Sequence, residues 1–145
     1  MAVTAKMYGL AVQSLANKEI DFDSDTIKVM LCTSAYTPDQ DTHRYKSAIT
    51  NEVTGTGYTA GGATLGTPTV TYTGATNVLK LDGNDVSWAT STITARYAVV
   101  YDSTPATDAT RPLLCYVDFG ADVTSSGGAF DIVWDAAGIA TVTVA

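Results

Sequence analysis

The stretch ITARYAVVY, residues 93–101, decides the fold. Ile93, Ala95, Tyr97, Val99 and Tyr101 alternate with Thr94, Arg96, Ala98 and Val100, a period of two that a helix cannot satisfy. The residues are β-branched or aromatic at most positions, which favours a pleated strand. The spacing predicts the longest strand of the chain, crossing the middle of a sheet.

The same pattern continues on both sides. Val86 and Trp88 begin a strand upstream, and a loop with Pro105 and Pro112 leads downstream to Leu113, Cys115, Val117 and Phe119. A turn at 125–128 is expected next, then Phe130, Ile132 and Trp134, a turn at 135–138, and Ala140, Val142 and Val144. Earlier in the chain, Val70 and Tyr72, a turn at 74–77, and Leu79 with Leu81 read as a hairpin, while Ile27, Val29 and Leu31 mark the first strand. Glycines 55, 57, 61, 62 and 66 crowd one stretch, so any strand there must be bulged or must pass close to another backbone.

Two segments break the alternation. Met7, Leu10, Ala11, Ser14 and Leu15 fall at helical spacing and Asn17 closes them, although Val3, Thr4 and Gly9 oppose a helix. The polar stretch 34–47 predicts a long loop, with one helical turn around His43 to Lys46. Roughly seven to nine short strands, with turn signals about every eight to twelve residues, predict an all-β fold. The expectation is an antiparallel β-sandwich or jelly-roll-like domain over residues 1–145, with a short helix or arm at 1–17.

Composition agrees. The 24 threonines suit a half-exposed pleated face, and 46% apolar against 16% charged residues describes a packed chain. A net charge of −7 repels phosphate backbones and anionic lipid headgroups, so neither nucleic acid nor a membrane is an expected partner. Lys6, Gln13 and Ser14 interrupt the apolar N-terminal run, which reads as neither a signal peptide nor a spanning helix. Cys32 and Cys115 read as buried free thiols; a disulfide would require their strands to be neighbours.

The residues that catalysis needs are sparse. His43 is the only histidine and lies in the polar loop without a nucleophile-elbow pattern, so it reads as a surface or interface imidazole. Asp21, Asp23 and Asp25 alternate like the opening of a calcium loop, but Thr26 and Cys32 stand where its glycine and closing glutamate should be. Gly55, Gly57 and Ala60 match a dinucleotide-binding spacing, yet Gly61 and Gly62 would break the helix that such a site requires. Paired glycosidase carboxylates would have to sit on strands facing a cleft, but most aspartates, Asp102 among them, fall in turns; only Asp118 and Asp131 interrupt strands, both on the face opposite the apolar one, where solvent is expected. No catalytic residue, cofactor or metal site is expected, and the chain is not read as an enzyme.

Three stretches carry a resemblance. The run from Ala5 to Leu10 with Gln13, Ser14 and Leu15, the run from Asp25 to Thr33, and Asp41 to Tyr45 with Asn51 to Gly62 resemble small virion proteins of tailed bacteriophages and prophages; Ala95 to Tyr101 continues the similarity. The motifs are structural. The resemblance implies a capsid decoration, or cement, protein that binds the major capsid protein on the outside of the head, is made in the host cytoplasm, and assembles as a homo-oligomer, a trimer. The alternative is a tail or baseplate adhesion module that binds a host surface. Tyr8 and Leu10, with Tyr36, His43, Arg44 and Tyr45 of the long loop, are the expected contact residues, because Tyr and Arg are enriched at interface centres. The competing reading is that these side chains tie the loop to its own domain.

Overall fold

Alternating threonine and aliphatic residues favour extension, and the computed structural model, which describes residues 2–145, is mostly strand. In chain order the strands are β1 (Thr4–Met7), β2 (Ile27–Cys32), β3 (Ala63–Thr64), β4 (Thr69–Thr73), β5 (Val78–Asp82), β6 (Val86–Asp102), β7 (Leu113–Ile132) and β8 (Ala140–Thr143). One helix, α1 (Gly9–Ala16), and a 3-10 turn at Lys46–Ala48 interrupt them. Two antiparallel sheets result, a five-stranded one ordered β1-β7-β6-β2-β3 and a three-stranded one ordered β4-β5-β8. This is the expected all-β, sandwich-like architecture. Among the described residues no helix is long and apolar enough to cross a membrane.

The 93–101 stretch lies mid-sheet as predicted, but it belongs to a longer element. β6 runs for 17 residues and β7 for 20, against about 3–10 for ordinary strands. The turn expected at 125–128 is absent, because β7 continues through it. Gly127 there takes φ 68°, and the register with β6 slips between Trp88 and Thr92, so the glycines make a bulge instead of a reversal. A larger bulge lies between Ala95 and Tyr97, where Arg96 alone stands opposite residues 119–122 of β7. β7, not β6, is therefore the longest strand.

The N-terminal expectation is half right. Helix α1 ends at Asn17 as read, but Thr4–Met7 forms a strand on β7, consistent with the β-favouring Val3 and Thr4 that opposed a helix. Met1 lies outside the described residues. The helical turn expected at 43–46 forms slightly later, at Lys46–Ala48.

Register sorts the side chains of the large sheet into two faces. One holds the rows Ala5, Val117, Ala98, Leu31 and Met7, Cys115, Val100, Val29, small or aliphatic throughout. Ala5 and Met7 share a cleft with Ile139 and Ala140, which places this face toward the second sheet. The other face carries Tyr97, Val99 and Tyr116 and is covered by Tyr8, the residue before α1, and by Tyr36 of the long loop, with Tyr8 on Tyr116 at 5.1 Å and Tyr36 edge-on to Tyr97 at 5.8 Å. Coverage on both sides explains why Ala98 through Asp102 are all buried, while Trp88 to Ala95 still alternates in and out.

Cys32 and Cys115 are buried free thiols. They belong to β2 and β7, which β6 separates, so the disulfide alternative fails for want of neighbouring strands.

The glycine-rich stretch passes close to other backbones, as its composition predicts. A Cβ at Gly55 would stand 2.4 Å from the Thr92 carbonyl oxygen, at Gly57 2.1 Å from that of Thr90, and at Gly62 1.9 Å from that of Val29. Gly62 also holds φ 79°, which side-chain-bearing residues adopt at a cost. Substituting Gly62→Ala is expected to destabilise the fold by about 3 kcal/mol, a fall of roughly 10 °C in melting temperature by calorimetry. A change under about 2 °C would show that β2 yields to accommodate a methyl group.

Candidate functional site

Of the contact residues expected from sequence, Tyr8, Tyr36 and His43 bind one another, while Arg44 and Tyr45 converge on Glu19. Tyr8 and Tyr36 are fully buried, their hydroxyls 2.9 Å apart, and the Tyr36 hydroxyl is 2.9 Å from Nδ1 of His43. The Asp39 backbone N–H also points at Nδ1, at 3.3 Å. An N–H can only donate, so Nδ1 accepts; Tyr36 therefore donates to His43 and Tyr8 donates to Tyr36. Burial, first of all, together with the bond to Tyr36, pushes the Tyr8 hydroxyl far above its ordinary pKa, so it stays a donor at any working pH.

Beside this relay, Glu19 collects the rest of the loop. It accepts from Arg44 Nη2 at 2.9 Å, from Ser14 Oγ at 2.8 Å and from the Tyr45 hydroxyl at 3.4 Å. Burial alone would raise its pKa, but the bonds from Ser14 and Arg44 outweigh that and hold it below the usual range. Two of the six expected contact residues, Tyr8 and Tyr36, are thus core side chains and cannot face a partner. His43, Arg44 and Tyr45 are half-buried ties between the loop and the residues flanking α1, and Leu10 is half-buried on α1 itself.

The other sequence candidates have structural occupations. Asp118 makes a two-pronged ion pair with Arg96, at 2.6 and 3.3 Å, and accepts the Gly120 N–H at 2.8 Å, which pins the large bulge. The bond from Arg96 holds its carboxyl below the usual range, the opposite of what a general acid requires. Asp131 bonds Ser87 across the ribbon. Gly55 and Gly57 abut β6 with no helix after them. Asp21, Asp23 and Asp25 make a turn in which Asp25 accepts the Asp21 N–H at 2.8 Å.

Sequence reasoning missed two features. The first is an incompletely covered apolar face. On the three-stranded sheet Val70, Leu81 and Ala140 form one row and Tyr72, Leu79 and Val142 the next, while the opposite face presents Thr69, Thr71, Thr73, Thr141 and Thr143. Leu81 is buried, but Val70 is 37% and Tyr72 54% exposed. A groove of about 520 Å³ runs from this face to Leu15, Ile20 and Phe22. The alternation had marked these positions as one face; which part of it stays uncovered depends on how far the large sheet reaches.

The second is a carboxyl pair. Asp102, read as a turn residue, is 1% exposed at the end of β6. Its Oδ1 accepts the Thr104 N–H at 2.8 Å, as a turn aspartate should, but Oδ2 is buried without a partner, and the Asp25 carboxyl lies within hydrogen-bonding reach. Two acceptors in contact need a proton between them. Burial, then Asp25, raises the Asp102 pKa to about 6.

No protein-family model matches the chain, and neither a curated protein nor a solved structure matches it.

Two outcomes follow from this geometry. Because the Asp102 pKa is raised on folding, its contribution to stability is complete below pH about 4 and is lost as pH rises through about 6. Asp102→Asn, whose amide can donate to Asp25, should remove that loss and leave the variant more stable than the parent by about 2 kcal/mol at pH 8, read from urea unfolding at pH 4 and pH 8. Parallel pH profiles for the two proteins would refute the shared proton. In the tyrosine relay, Tyr36→Phe strands the buried Tyr8 hydroxyl and should cost about 1–3 kcal/mol, whereas Tyr8→Phe leaves Tyr36 bonded to His43 and should cost less. Equal losses would contradict the donor order.

Proposed function

We propose that this chain is a structural protein of a bacteriophage particle, a capsid decoration protein that clasps the outside of the major capsid shell and stabilises the head. The observation that carries the reading is the apolar face of the three-stranded sheet with the groove beside it. Exposed apolar residues scattered singly need no explanation, but Val70, Tyr72, Leu79 and Val142 are contiguous and flank a groove, the arrangement of a protein contact surface. Tyr72 is suited to such a surface, since it offers a large rigid ring and a hydroxyl that is bonded to Asn77 at 3.0 Å. The likeness of residues 5–10 with 13–15, 25–33, 41–45 with 51–62, and 95–101 to small phage virion proteins supports the same reading.

A decoration protein needs no reactive group. It stabilises a shell by binding the assembled state and not its dissociated subunits, and many modest contacts repeated over a lattice add up through mass action. The acidic surface limits adhesion to nucleic acid inside or outside the head. In this reading the chain acts as a trimer, and the contact surface is the sheet face instead of the tyrosine and arginine loop, whose side chains are held internally.

The test is addition of purified chain to expanded heads that lack it, followed by co-sedimentation. The wild-type chain should add in fixed stoichiometry and raise the temperature at which heads open. A Val70→Ser, Tyr72→Ser double variant, altered only at exposed positions, should keep its melting temperature within about 3 °C while binding at least tenfold more weakly. Undiminished binding by the variant would remove the face from the proposal. A chain that ignores heads but attaches to host cells would replace the decoration role with an adhesion module.

A further inference from the structure

Three of the eight basic side chains of this acidic protein converge on one cavity. Lys28 on β2, Lys46 on the 3-10 turn and Arg111 just before β7 line a space of about 300 Å³ together with Glu52, Asp108 and Gly61. Asp108 accepts from Lys46 Nζ and from Arg111 Nη1, each at 2.8 Å, so one carboxylate serves two cations. Glu52 is occupied by neutral donors, the Tyr58 hydroxyl and the Gly61 N–H. Among the described residues the Lys28 ammonium has neither a carboxylate within ion-pair distance nor a hydrogen-bond acceptor. Arg111 uses Nε on the Pro105 carbonyl and Nη1 on Asp108, which leaves Nη2 free.

Donors in this cavity therefore outnumber acceptors, and three cations face two carboxylates. The surplus is a single positive charge. An organic monoanion would neutralise it and fill the vacant N–H directions, whereas a phosphate dianion would overshoot and meet Glu52 and Asp108 in repulsion. A volume near 300 Å³ holds about ten waters, room for a small acid or one acidic side chain. We propose that the cavity binds a carboxylate-bearing ligand, its oxygens bridging Lys28 and Arg111. The ligand is either a free small acid or an acidic side chain of a neighbouring protein. The inference does not depend on the role in a phage particle.

The experiment is an NMR titration of the labelled chain at low ionic strength with acetate, acetamide, inorganic phosphate and the blocked tripeptide acetyl-Ala-Asp-Ala-amide. The backbone amides of Gly61 and Ser103 should shift saturably with acetate, not with acetamide, and at least about fivefold more weakly with phosphate. Lys28→Met should weaken acetate binding about tenfold, and Lys28→Arg should restore it with melting temperatures unchanged, since this side chain is only half-buried. Tripeptide binding at least about tenfold tighter than acetate supports a protein side chain as the source; equal affinities support a free acid. Absence of saturation with both carboxylates, a preference for phosphate, or indifference to Lys28→Met would each overturn the proposal.

Discussion

The antiparallel pairing of β6 with β7 is the constraint on which the other elements depend. A two-stranded ribbon is marginal alone. At one end it is widened by β1 on the outer edge of β7 and β2 on the outer edge of β6. At the other it is clamped by an aromatic cluster in which the rings of Trp88 and Phe119 lie 6.1 and 6.0 Å from that of Phe130, with Tyr58 leaning on Trp88 at 5.8 Å. The bulges from Trp88 to Tyr97 lie between these two supports, and a further register shift at Val100/Tyr101 falls within the widened end. Bulges bend a strand and increase its local twist, so the ribbon departs from a regular ladder along this stretch.

Much of this was legible in the alternation of residues, because a period of two and a face of one polarity are local properties. The hairpin at 69–82, the final strand and the mid-sheet position of residues 93–101 all followed from it. Register is not local. Nothing in residues 119–128 announces that four of them will stand opposite Arg96, and Ser-Ser-Gly-Gly reads equally well as a reversal or as a bulge until its partner strand is known. The N-terminal strand was hidden for a similar reason: an alternation only four residues long is too short to tell from chance, and only the edge of β7, far along the chain, selects extension for these residues.

Chemical side chains were harder to place than strands. Tyrosine, histidine and arginine in a polar loop have the composition of a contact surface and of an internal clamp alike, and the difference is made by the cover they provide for Tyr97 and Tyr116. Asp102 has the local signature of a turn carboxylate, which Oδ1 honours; the unusual half of its environment comes from Asp25 on another segment. Of the five ion pairs among the described residues, Arg96–Asp118 pins a bulge, Arg44–Glu19 and Lys46–Asp108 join separate segments, and Arg111–Asp108 and Lys80–Asp82 are local. The cavity between Lys28 and Arg111 stands apart because its charges do not balance internally.

The pairing of β1 with β7 has a consequence during synthesis. Thr4 meets Asp118, so the first strand waits while more than a hundred further residues leave the ribosome before its own ladder can form. For that interval it is an unprotected edge. Its content suits the delay: four residues only, with Thr4 and Lys6 alternating with Ala5 and Met7, too short and too polar along one side to recruit a second nascent chain.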